Sequence, residues 1–161
     1  MNAIPFAPWL FVLRLYAGCF WLSHGWGKIT SPEWSAPGGT MASILAKMAA
    51  GAQGPYHDFL TGVVVPNQTT FAHLVAWGET LTGVSLLLGL LTPLGALGGM
   101  FLPLNYMLAK GVDLDAAFGM DALAIFISFL CLVLPVGRVA GLDSVLFRRQ
   151  PTRPAVRAAP R

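Results

Sequence analysis

Residues 71–109 carry a single charged side chain, Glu79, within a stretch dominated by Leu, Gly, Ala, Val and aromatic residues. A run this long exceeds what one buried helix of a soluble domain requires, since about 20 apolar residues already cross a bilayer. Thr92-Pro93 interrupts it, so it reads as two antiparallel spans joined by a tight turn. Apolar runs on either side add two more, giving expected spans at about residues 9–29, 71–91, 94–109 and 118–134. Pro5 and Pro8 open the first, Thr30-Ser31-Pro32 closes it, and Pro135 with Gly137 stops the fourth. The composition agrees: 55% of residues are hydrophobic and 11% charged, against about 25% charged in an ordinary soluble domain. The expected fold is all-α, an integral membrane four-helix bundle, with residues 1–147 forming its one domain.

Between the first two spans, residues 31–69 are rich in Gly and Pro yet too apolar for a disordered linker. Met41 to Ala50 reads as a short helix and Tyr56 to Val65 as a further apolar patch, so an amphipathic cap on the membrane surface is expected here. Six of the ten basic residues follow the fourth span: Arg138, Arg148, Arg149, Arg153, Arg157 and Arg161. Residues 148–161 read as a basic cytoplasmic tail. An even number of spans puts both termini on that side and the cap outside, in a bacterial-type inner membrane. No folded basic face accompanies these arginines, so lipid headgroups suit them and nucleic acid does not.

Tyr16-Ala17-Gly18-Cys19 faintly resembles a lipoprotein cleavage box, but Arg14 interrupts the apolar run ahead of it, so the first span is expected to be retained. Cys19 and Cys131 fall in different spans and read as small apolar filler rather than a redox pair. Gly95 and Gly99 form a small-xxx-small pair that serves close helix packing.

Polar groups within the spans carry most of the information, because a charge at the bilayer centre costs at least about 2.5–3.5 kcal/mol. Arg14, Gly18, Trp21, Gly25 and Lys28 share one stripe of the first helix, with His24 beside it; Ala72, Ala76, Glu79 and Gly83 share a face of the second. Counting depth along the helices makes a buried Arg14–Glu79 ion pair the first expectation, with His24 and Asp121 lining an outer pocket. Simpler roles stand beside these: interhelical glue for Arg14, Glu79 and His24, a helix cap for Asp121, headgroup snorkelling for Lys28. His24 and His73 lie near one level, but neither has a second ligand at helical spacing, so neither haem nor a metal site is expected.

Several of these residues occur in an order that resembles a known family. The chain contains Arg14-Leu15-x-x-Gly18, His24-Gly25-Trp26-Gly27-Lys28, Gly78-Glu79-x-x-x-Gly83, Gly89-Leu90-Leu91-Thr92, Gly137-Arg138 and Leu142-Asp143. This pattern resembles the DoxX family, including DoxD-like small subunits of thiosulfate:quinone oxidoreductase, over Arg14 to Asp143. The resemblance implies a four-helix membrane subunit working with other chains, in some members within a redox complex that passes electrons to quinone.

The leading functional expectation is a membrane subunit of a multi-subunit oxidoreductase, anchoring partner subunits in the lipid bilayer. A quinone headgroup is expected among His24, Trp21, Trp26, Glu79 and Asp121, because quinone reduction needs a protonatable group beside apolar and aromatic walls. No flavin, iron–sulfur or covalently bound cofactor site is recognisable, so any redox centre falls to a partner. The alternative is a structural or assembly subunit with no ligand of its own. A small-solute transporter ranks last, since no inverted repeat or paired broken span is visible.

Overall fold

The computed structural model describes residues 6–111 and 119–147, and these residues form helices and turns without a strand. The expectations for the start of the fourth span at Phe118 and for the basic tail 148–161 fall outside the described residues. Eight α-helices appear among the described residues: α1 (Ala7–Thr30), α2 (Pro32–Ser35), α3 (Thr40–Gly51), α4 (Gly54–Phe59), α5 (Gln68–Leu88), α6 (Thr92–Lys110), α7 (Met120–Val133) and α8 (Asp143–Leu146). A π-helical turn, Leu60–Val64, extends α4, and a 3₁₀ turn, Val136–Arg138, follows α7.

The turn between the second and third spans sits earlier than Thr92-Pro93. Gly89 adopts the left-handed region (φ 61°), its N–H bonds to the Leu86 carbonyl, and Leu90 N–H reaches back to Ser85 O at 3.0 Å. That arrangement ends α5 at Leu88. Pro93 falls in the first turn of α6, where its missing N–H costs nothing.

One described helix, α5, is long and apolar enough to cross a membrane by itself. The apolar α7 has 14 residues, about 21 Å of rise against the roughly 30 Å of a hydrocarbon core. α1 is 24 residues long but carries Arg14, His24 and Lys28.

The long helices bury small and polar residues and expose large apolar ones. On α5, Ala72, Ala76, Glu79 and Gly83 are buried while Leu74, Trp77, Leu81 and Leu88 face outward. On α6, Gly95, Ala96 and Gly99 are buried while Leu94, Leu97, Phe101 and Leu104 are exposed. α7 repeats this with Ala124 and Ser128 inside, Phe126 and Phe129 outside. Close backbone approach by small residues is the way helices associate in lipid, where burying Leu against Leu gains little.

Glycines set the register of α1 against antiparallel α5. A methyl group on Gly18 would meet Leu87, one on Gly25 would meet Thr80, and one on Gly83 would meet the Leu22 backbone. Gly95 and Gly99 do serve packing: Gly95 faces Ser85 of α5, and Gly99 faces Ser128 of α7 and Trp21 of α1. The segment between α1 and α5 is more than a surface layer, because Trp34, Met41, Leu45, Leu60 and Val64 form one core with Ala72, Ala76 and Ala109.

Candidate functional site: a buried carboxylate beneath the cap

Glu79 is 2% exposed, and its carboxylate accepts from two other helices. The Lys28 ammonium of α1 contacts both carboxylate oxygens, and the Tyr106 hydroxyl of α6 donates to Oε1 at 2.8 Å. Lys28 Nζ also lies 4.9 Å from the centre of the Trp34 ring, within cation–π range. Trp34 is fixed in turn by its indole N–H, which donates to Ala72 O at 2.9 Å. Beside this cluster Tyr56 donates to the Asn105 carbonyl and side chain at 3.2 and 3.1 Å, and burial pushes its phenol up from the ordinary value.

The expected Arg14–Glu79 pair is not formed. Continuing the register past Gly18 and Leu87 places Arg14 level with the α5–α6 turn, about 18 Å of helix rise from Glu79. Arg14 is 1% exposed and its Nη2 donates to Ala140 O at 3.3 Å, while Nε and Nη1 have no partner. Next to it, Asp143 accepts from the N–H groups of Leu91 (2.8 Å) and Thr92 (2.9 Å), so a distant carboxylate caps α6. The segment is pinned further by Leu142 and Asp143 N–H groups donating to Leu88 O and Gly89 O.

The five residues expected to share a pocket do not converge. Trp21 is buried, but His24 and Trp26 face outward, and Asp121 binds Lys110 at the start of α7. His24 Nδ1 lies 2.8 Å from Phe20 O and donates to it, so in the neutral ring Nε2 is the acceptor. His73 is also outward-facing on α5. Trp21 lines a narrow cleft between α1 and α7 with Tyr16, Phe20, Met120, Leu123 and Ile127, holding about 20 Å³ of free volume. The ring of His24 lies 4.4 Å from that of Phe20, which is one of the cleft's walls.

The DoxX family model matches residues 9–110. The chain belongs to the DoxX family. As a DoxX protein it is associated with a membrane, and the match holds Arg14, Lys28, Glu79 and Tyr106 while leaving out α7 and Asp143. No curated protein and no solved structure matches this DoxX chain. Sequence reasoning assigned Lys28 to headgroups and passed over Tyr106. The signal that finds Lys28 is the glycine series 18, 25 and 83, which fixes α1 against α5; an isolated tyrosine on an apolar helix gives no such signal for Tyr106.

Proposed function

We propose that this DoxX chain is a multi-pass, four-helix membrane subunit of a multi-subunit oxidoreductase, anchoring its partners at the bilayer with both termini on the cytoplasmic side. The observation that carries the reading is the inverted surface of α1, α5, α6 and α7: large apolar side chains outside, and Glu79 with its Lys28 and Tyr106 partners inside. Water would make such a surface aggregate, whereas lipid solvates it. The shortness of α7 is compatible with a span, because a bilayer thins or flanking residues extend to meet a short helix.

For a quinone, Glu79 is a poor partner because its oxygens are already engaged. The α1–α7 cleft serves better: aromatic walls from Tyr16, Phe20 and Trp21, with the His24 ring packed on Phe20 to receive a quinol hydroxyl through Nε2. Its small volume means that a ring enters only when α1 and α7 part, and these two helices meet less extensively than α1 and α5. Titration of the purified protein with a short-chain quinone tests this. Wild type gains thermal stability, and His24→Gln loses most of that gain while its own melting temperature stays near wild type. Equal gains in both proteins, or none in wild type, end the quinone reading.

The assembly-subunit reading keeps one observation in its favour: Glu79, Lys28 and Asp143 all find partners within the chain. If His24→Gln leaves both complex assembly and turnover intact while Glu79→Gln breaks assembly, the chain is a scaffold.

A further inference from the structure

At the end opposite the cap, an open cavity of about 470 Å³ lies between the start of α6, the end of α7 and the 3₁₀ turn. Its walls combine two chemistries. Leu132, Leu134, Pro135 and Phe147 supply apolar surface, while Arg138 and Thr92 supply hydrogen-bond donors. Thr92 is 2% exposed, yet its hydroxyl has no partner. A buried hydroxyl without a partner is uncommon, because desolvating it unbonded costs about 1–3 kcal/mol. Gly137 leaves the room that this hydroxyl occupies beside the cavity wall, since a side chain there would collide with Thr92 Oγ1 and Asp143 Oδ2.

We propose that this cavity binds a membrane phospholipid, its phosphate accepting from Arg138 and the Thr92 hydroxyl and its acyl chain leaving along the apolar wall. An anionic group is favoured over a cation because Asp143, the acid in the wall, is already engaged: its two oxygens cap the Leu91 and Thr92 N–H groups. Those bonds also mean that the α6 N-terminus offers little of its own, so the donors are side chains. A lipid is favoured over free phosphate because the apolar wall is continuous with exposed Phe129 and Val133 on α7, where an acyl chain remains covered by apolar surface.

The test uses the full chain in mild detergent, with binding read by native mass spectrometry and by thermal shift. The probes are phosphatidylglycerol, diacylglycerol of the same chains, and inorganic phosphate. Phosphatidylglycerol binds wild type and raises its melting temperature. Arg138→Gln weakens that binding about tenfold and Thr92→Val by a smaller factor, in line with losing a charged and a neutral hydrogen bond. Lys47→Gln, on the exposed face of α3 in the cap, leaves it unchanged. Diacylglycerol binding as well as phosphatidylglycerol would show an apolar groove without a phosphate site. Inorganic phosphate alone giving the same shift, or Arg138→Gln behaving as Lys47→Gln does, equally overturns the proposal.

Discussion

Glu79 holds two donors of different kinds, and they differ in what their loss does. Removing the carboxylate in Glu79→Ala leaves the Lys28 ammonium, 20% exposed, without its counter-charge, which we expect to destabilise the protein by about 3 kcal/mol. Tyr106→Phe removes one hydrogen bond and is expected to cost about 1 kcal/mol. The double variant Lys28→Met/Glu79→Leu should recover much of the loss, because no unpaired charge remains. Detergent thermal melts of the four proteins check the order, and a double variant no more stable than Glu79→Ala would show that the pair acts through shape rather than charge. At this scale the sequence made the burial of Arg14 and Glu79 legible, since each lies among small residues on a helix face. Their partners were not legible. Partner choice depends on how far one helix slides along its neighbour, and a depth count that starts every helix at one level cannot supply that offset. The backbone carbonyl of Ala140, which receives Arg14, has no sequence signature at all.

Along the elements, the α1–α5 seam separates two glycines that look alike in sequence. A methyl at position 25 would strike the Thr80 amide and hydroxyl, whereas one at position 27 meets nothing within 4 Å. Gly25→Ala is therefore expected to destabilise by about 1–3 kcal/mol through overpacking. Gly27→Ala should be neutral or gain up to about 1 kcal/mol from helix propensity. Thermal melts of the two variants decide this, and equal effects would refute the seam. The four long helices were legible to within a few residues because their apolar runs are bounded by Pro and Gly. Both ends of α5 were missed by three residues, and at the later one Gly89, Leu90 and Leu91 continued the apolar pattern while the backbone had already turned left-handed. Likewise the short α2 and the π-helical turn at Leu60–Val64 carry no periodic signal long enough to read.

For the whole molecule, the proposed orientation sets cap and tail on opposite sides of the membrane. A single cysteine placed at Gln53, exposed between α3 and α4, should react with an impermeant maleimide in intact cells, in a Cys19→Ser/Cys131→Ser background. One placed beyond Arg149 should react only after permeabilisation, and the reverse pattern would invert the topology. The all-helical architecture was readable from apolar runs of span length bounded by Pro and Gly. The way its end opposite the cap closes was not, because the short Leu142-Asp143 pair gave no hint that its backbone and carboxylate return to the α5–α6 turn.

That return has a consequence for dissecting the protein. The DoxX family match stops at Lys110, yet the acid that caps α6 and the carbonyl that receives Arg14 both come from beyond it. A fragment cut there would retain the matched segment and still leave the buried Arg14 guanidinium without its acceptor. Homology and autonomy part company in this chain: the matched portion takes its α6 cap and its Arg14 acceptor from beyond its own end, and Ala140 and Asp143 behave as a keystone rather than an appendix.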